Sequence, residues 1–411
     1  MVHEGWTPTK LGHISSLITS GSRDWAKFYS DTGSKFIRMT NLRRDGIHLK
    51  LDDLKFVNIE SGSADGKRTS LQAGDILISI TAELGKIGWV PPGLGDAYIN
   101  QHTALVRVLP TEAEPKFVAY LLASKPYHRR INALNDAGAK AGLNLTTIRS
   151  LPLALPDISE QKKIAQILST WDQAITATER LLENSQQRRK GLMQQLLTGK
   201  KRLPGFEDEW KRVRLGSLFS RVTSRNEGQS TNVVTISGQQ GLIRQQEFFK
   251  KSVASETLDN YFLLKKGQFA YNKSYSNGYP MGAIKRLNRY DDGVVTTLYI
   301  CFTLTDEHEA DSDFYEQYFE SGLLNQGLMQ VAHEGGRAHG LLNVKPSDFF
   351  SLTLHKPNIS EQKAIANVLC TADSEIVAQK ASLEQLRSEK RALMQQLLTG
   401  KRRVNVDTEA A

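Results

Sequence analysis

Part of this chain is written twice, and that constrains its fold more than any other feature. The segment PDISEQKKIAQILSTWDQAI from Pro156 returns as PNISEQKAIANVLCTADSEI from Pro357, and LMQQLLTGK from Leu192 returns unchanged from Leu393. Both pairs share an offset of 201 residues, and residues 156–202 and 357–403 agree at 25 of 47 positions. Two unrelated amphipathic helices do not converge on a nine-residue string, so the chain is a duplication. Fainter echoes precede each copy. Trp6 with Leu11-Gly12 matches Trp210 with Leu215-Gly216, and Gly142-Leu143-Asn144 resembles Gly340-Leu341-Leu342-Asn343. The order is variable half, repeat, variable half, repeat, with one part held constant while the other was free to differ.

Each repeat reads as one long helix. In the first, Ile164, Leu168, Trp171, Ile175, Leu182, Leu192 and Leu196 climb a 4,3 ladder whose missing rungs are Thr178, Ser185 and Arg189. The second gives Ile365, Leu369, Ala372, Ile376, Leu383, Leu386, Leu393 and Leu397. A 3.5-residue period sustained over several heptads is a coiled-coil signature. Asp157 and Asn358 are placed to cap these helices, with Glu160 and Glu361 completing capping boxes. Gly199 and Gly400 are placed to close them in the left-handed conformation. A forty-residue helix is about 60 Å long and exposes an apolar seam, which the other copy is the obvious partner to cover. The polar rungs Arg189 and Lys390 either set the register or reach past the seam to solvent.

The halves between the repeats read as short strands with a few helices. Lys35–Asn41, Asp75–Ile80 and Thr103–Val108 are strand-like, as are stretches from Val233, Gln268 and Val294, with helices near Pro115–Ser124 and Phe314–Asn325. Basic, polar and glycine-rich loops interrupt them. In the first half the candidates are Arg38, Thr40, Asn41, Arg43 and Arg44, then Thr81 and Lys86. In the second they are Lys273, Ser274, Tyr275, Ser276, Asn277 and Tyr279. Arg, Lys and Asn offer donors that suit base edges, and hydroxyls serve bases or phosphates. Any one of these residues alone is better read as a solvated loop. As sets on paired halves they are candidate DNA contacts. The 53 Lys and Arg against 44 Asp and Glu leave a net charge of +9, which suits a polyanion.

Nothing in the sequence assembles a catalytic site. His333-Glu334-Gly335-Gly336-Arg337 begins like a zinc-protease helix, but Arg stands where the second His belongs and His339 comes two residues late. Pro156-Asp157 with Glu160-Gln161-Lys162 superficially looks like a nuclease constellation, yet the second copy replaces the Asp with Asn358, which keeps a cap and removes a metal ligand. No phosphate-binding loop and no adenine-methyltransferase tetrapeptide occurs. Two cysteines, Cys301 and Cys370, rule out a disulfide framework or a four-Cys zinc site. No stretch reads as a signal peptide or a membrane span, so a soluble, cytoplasmic protein is expected.

Taken together, the chain resembles the specificity subunits of Type I restriction-modification systems. The resemblance is carried by the Ile-Ser-Glu-Gln-Lys-x-Ile-Ala openings at Ile158 and Ile359 and by the Leu-Met-Gln-Gln-Leu-Leu-Thr-Gly-Lys endings. Leu203-Pro204-Gly205-Phe206 with Trp210, and Asn272-Lys273-Ser274-Tyr275-Ser276 before Gly282-Ala283-Ile284, add to it. The resemblance covers essentially the whole chain. It implies an α/β (α+β) architecture of two pseudo-symmetric target recognition domains joined by two long helices in an antiparallel coiled coil. The domains would be residues 1–157 and 203–356, with spacer helices at 158–202 and 357–411. It further implies that each domain reads one half of a bipartite, asymmetric target on double-stranded DNA and that the coiled coil fixes the gap. Two methyltransferase subunits and two restriction (translocase/nuclease) subunits would dock on the chain. S-adenosylmethionine, ATP and Mg would belong to those partners, and adenine-N6 methylation and ATP-dependent cleavage would be theirs, leaving this chain without catalysis. Three other readings stay open: a two-subunit system with a fused methyltransferase-nuclease partner, a coiled-coil scaffold without DNA binding, and a self-contained nuclease.

Overall fold

The computed structural model describes residues 5–21, 25–59, 64–134, 142–248, 257–332 and 342–406. The segment 333–339, weighed and rejected above as a zinc site, lies outside them, as do Gly340 and Leu341. The chain divides into two compact units, Met1–Glu179 with Ser382–Ala411, and Arg180–Ala381. The two long helices, Ile158–Leu196 and Ile359–Leu397, each begin in one unit's residues and end in the other's.

In the first unit a four-stranded antiparallel sheet runs in the spatial order Ser15–Ser20, Thr103–Val108, Ile76–Ser79, Ile87–Trp89. A second sheet holds Tyr29–Ser30, Lys55–Val57, Ser34–Ile37 and Ala97–Ile99, the last two strands parallel. Strand Ile76–Ser79 shows why the first sheet is buried on both faces. Ile76 and Ile78 point to a core shared with Phe117, Tyr120, Ile164, Leu168 and Leu397. Leu77, on the opposite face as the two-residue period requires, joins Leu105, Ile99 and Ile37. The helix Pro115–Ala123 lies in the first of these cores, opened by Pro at its first turn and by Glu114, whose side chain accepts from Lys116 N at 3.3 Å.

The second unit repeats that sheet in the order Phe219–Val222, Ile300–Leu304, Phe269–Asn272, Ala283–Arg286, again antiparallel throughout. Its core is aromatic: Phe219, Phe269, Phe302, Phe314, Tyr315 and Phe319 interlock with ring centroids 5.3–6.0 Å apart in most pairs, against Leu196, Ile365 and Leu369. The run from Val294 is not one strand. It ends at Val295, turns, and restarts at Ile300, because its two β-branched runs belong to different sheets. The helix expected over Phe314–Asn325 is two helices, Ser312–Glu320 and Asn325–Val331, broken near Gly322 at φ +77°.

Within each unit the helix segments pair antiparallel. In the first, Glu160 meets Arg403 at 2.7 Å, Asp172 meets Lys390, and Glu179 meets Arg387 at 2.7 Å. In the second, Ser185 meets Glu375 at 3.1 Å, Arg189 meets Asp373, and Arg202 meets Glu361 at 2.6 Å. Residue numbers rise on one helix as they fall on the other. Of the apolar ladder, Ile164, Leu168, Leu196, Ile365, Leu369, Ile376, Leu383 and Leu397 are buried, each fully buried side chain contributing about 1.5–3 kcal/mol. Trp171, Ile175, Leu182, Leu192, Leu386 and Leu393 are half-buried.

The helix ends depart from expectation in two respects. Asn358 Oδ1 caps its helix by accepting from Glu361 N at 2.8 Å, whereas Asp157 contributes its backbone carbonyl, which accepts from Gln161 N at 3.0 Å as in any first helical turn. The Glu160 and Glu361 carboxylates, however, do not complete capping boxes. They are drawn to Arg403 and Arg202 instead, and Trp210 Nε1 donates to Glu361 at 3.0 Å. A charge-assisted bidentate pair outweighs a single bond to a backbone amide. Gly199 and Gly400 hold φ of +68° and +71° just past the helix ends.

Candidate nucleic-acid interface

The polar rungs hold the sheet-bearing domains to the helices, by the same device in each unit. Tyr120 Oη, from the helix Pro115–Ala123, donates to Asp172 Oδ2 at 2.5 Å, and Lys390 donates to Oδ1 of the same carboxylate. In the other unit Gln317 Nε2, at the matching position of helix Ser312–Glu320, donates to Asp373 at 2.8 Å, and Arg189 pairs with that Asp. Lys390 and Arg189 therefore turn into the seam and do not reach past it. Lys390 is only 5% exposed. A second pair of contacts repeats as well: Gln161 and Gln362 accept from the amides of Glu114 and Asp311, the residues that cap those two helices, at 3.0 and 2.8 Å.

While these anchors are duplicated, the loops at the sheet ends are not. The turn carrying Thr81 and Lys86 joins strands Ile76–Ser79 and Ile87–Trp89. The loop carrying Lys273 to Tyr279 joins Phe269–Asn272 and Ala283–Arg286, the same two strands of the repeated sheet. The two candidate sets thus occupy one topological position. Each loop is also tied to the chain the same way, Leu143 N donating to Ile80 O and Leu342 N to Lys273 O, both at 2.9 Å.

In the first unit the loop meets the other basic set. Arg43 bridges to Ile87 through the backbone, Arg44 pairs with Glu83 at 3.2 Å, and Lys86 pairs with Glu83 from the other side. Lys86 and Arg44 hold the Glu83 carboxyl below its usual range. Arg38 lies against Asp53 at 3.2 Å. Asn41 is 2% exposed, and Arg38–Asn41 is not the end of a strand: its amide accepts from Arg38 N at 2.9 Å and donates to Lys50 O at 2.8 Å, folding Met39–Asn41 into a 3-10 turn. Asn41 supports the loop from inside, with Thr40 exposed at its tip. Ala82, at φ +56°, shapes the neighbouring turn.

In the second unit Tyr275 is the projecting residue, 64% exposed, with Asn277 exposed beside it. Ser274 N donates to Asn272 Oδ1 at 3.1 Å, and Ser276 and Tyr279 exchange backbone hydrogen bonds. Tyr279 turns back to the scaffold. Its hydroxyl lies against Glu320 and accepts from Lys285 Nζ at 2.8 Å, and burial followed by the Glu320 charge pushes its pKa up. Burial, then the nearby Arg221, lowers the pKa of Lys273. Gly282 closes the loop at φ +78°, where a Cβ would stand 2.3 Å from Asn272 O. Gly282→Ala is expected to lower stability by more than about 1 kcal/mol. Gly278→Ala, at φ +84° in open space, should cost clearly less, as denaturant midpoints would show.

A third group at this sheet end carries no local signal in the sequence. Strands Ile76–Ser79 and Thr103–Val108 are antiparallel neighbours, so the turn Asn100-Gln101-His102 lands beside Thr81. Thr296-Thr297-Leu298 takes that place in the second unit. Among the described residues, no three His, Cys, Asp or Glu side chains come together as a metal-ligand set, and no helix is long and apolar enough to cross a membrane.

Two repeated sheets carrying unlike polar loops, each clamped to paired helices, form a constant frame with two different loop surfaces. Residues 3–184 match the family model described as the Type I restriction modification DNA specificity domain. The chain is similar to the proposed type I restriction enzyme MjaX specificity subunit of Methanocaldococcus jannaschii, 24% identical over 98% of this chain and 95% of the relative. It is similar also to the MjaVIII specificity subunit of that organism, 24% identical over 62% of this chain and 63% of the relative. Among solved structures its fold is like that of the HsdS subunit from Thermoanaerobacter tengcongensis, with a TM-score of 0.51 at 16% identity over 98% of both chains. The S subunit from M. genitalium gives a TM-score of 0.59 at 13% identity, covering 95% of this chain and 96% of that one. Over its whole length the chain is thus similar to specificity subunits of Type I restriction-modification systems, and its first half carries the matched specificity domain.

Proposed function

We propose that each unit reads one half of a bipartite sequence on double-stranded DNA through the loops at the end of its repeated sheet. The observation that carries this is the contrast within the repeat. The contacts that clamp sheet to helices recur pair for pair, Glu160–Arg403 with Glu361–Arg202 and Asp172–Lys390 with Asp373–Arg189. The loops on the same strand ends share almost nothing, Thr81 to Lys86 against Lys273 to Tyr279. A scaffold held constant under loops of different chemistry suits two different half-sites.

In this reading the two long helices set the gap between half-sites. The chain binds no cofactor of its own and is not catalytic. It presents DNA to two methyltransferase subunits, which carry S-adenosylmethionine and modify adenine N6. With two restriction subunits, which use ATP and Mg, it directs cleavage in the cytoplasm. The matched family favours these partners over a fused methyltransferase-nuclease, and the paired loops favour DNA reading over a mute scaffold. Mapping of methylated adenines on the chromosome tests the proposal. A bipartite motif, methylated once on each strand, should vanish when this gene alone is deleted. A methylome unaffected by the deletion would overturn it.

A further inference from the structure

One turn at the loop end of the first unit's sheet is held by its own side chains. Asn100 Oδ1 accepts from His102 N at 3.3 Å and from Thr103 Oγ1 at 3.1 Å, which fixes the turn. His102 is held at both ring nitrogens, Nδ1 2.7 Å from Thr81 Oγ1 and Nε2 3.1 Å from Gln101 Nε2. An amide nitrogen only donates, so His102 Nε2 is the acceptor and its proton sits on Nδ1, directed at the Thr81 oxygen. That contact engages the Gln101 amide through one proton, while its second proton and its carbonyl oxygen have no partner among the described residues. An adjacent donor and acceptor on a rigid amide match adenine, whose N7 accepts and whose N6 donates on the major-groove edge.

Resting on the reading of each unit as a half-site reader, we infer that Gln101 reads an adenine in the first unit's half-site, with His102 and Thr81 as residues that position its amide. The second unit has Thr296-Thr297-Leu298 in this place and lacks such an amide, so the effect is confined to one half-site.

The test is selection of bound sequences from a randomised duplex library by the full chain in complex with its methyltransferase partner. Wild type, Gln101→Leu, Gln101→Glu and His102→Leu are compared. Wild type should require adenine at one position of one half-site. Gln101→Leu should relax that position by about ten- to a hundred-fold and leave the other half-site intact. Gln101→Glu, which can only accept, should move the preference there toward cytosine, whose N4 donates. His102→Leu should relax the same position with no change in thermal midpoint, which general loosening of the fold would not do. A bipartite wild-type motif that survives both Gln101 variants unchanged would overturn this inference and leave the DNA-reading function standing. No bipartite motif from wild type would overturn that function and this inference with it.

Discussion

Lys390→Met is expected to destabilise the first unit by about 3–5 kcal/mol, a large share of any domain's stability, while the isolated-pair argument for exposed residues would give almost nothing. The difference is burial. Asp172 accepts from Tyr120 and Lys390 inside the core, with His48 Nε2 3.2 Å away. Burial pushes its carboxyl up, but His48, the Lys390 ammonium and the Tyr120 hydroxyl pull it down to about 2. Removing the ammonium leaves a buried charge without its counterion. Lys390→Met with Asp172→Asn should recover most of the loss, because it removes both charges. Urea unfolding of the three proteins at pH 7 decides this, and equal midpoints for wild type and Lys390→Met would refute it. The pH dependence follows in sign. A carboxyl depressed in the folded state adds stability that is complete above the ordinary Asp value, near pH 4, and is lost as pH falls toward 2. The wild type should lose stability over that window more steeply than the double variant.

Exchange of residues 1–157 for the first domain of another family member should abolish recognition of one half-site and leave the other unchanged. Each mismatched base pair costs about 1–3 kcal/mol, so three changed positions weaken binding to the original site by about a hundred-fold or more. The exchange should succeed only if the incoming domain keeps the groups that meet the helices. Here these are Tyr120, Glu114 and its following helix, which meet Asp172 and Gln161. Methylome mapping reads the result, and simultaneous change of both half-sites would contradict two independent readers.

Sequence disclosed the repeats because identity survives where packing is shared: Ile164, Leu168 and their copies touch the same partners twice. It placed Arg189 and Lys390 on the seam but left their direction open, since a long cation can turn either way. Only the position of Asp172 and Asp373 on the facing helix decides it. The equivalence of the Thr81 and Lys273 loops was hidden. Insertions shift the register between halves, and the match lies in strand order instead of residue type. Gln101 and His102 were missed because no local signal marks a two-strand turn as part of a site. They become one with Thr81 only when strands Ile76–Ser79 and Thr103–Val108 pair. Asn41 shows the reverse: its composition marked it as a contact, and its folded role is to hold a turn.

The division of the chain also orders events in time. The second unit is one continuous stretch, Arg180–Ala381, whereas the first waits for Ser382–Ala411. At about 5–20 residues per second, a ribosome needs on the order of 10–40 s to cross the intervening segment. Throughout that interval the nascent amino-terminal reader exposes the Leu168 face and leaves Glu160 and Asp172 without their cations. The unit begun first is thus finished after the other, once the helix segment from Ser382 has been made.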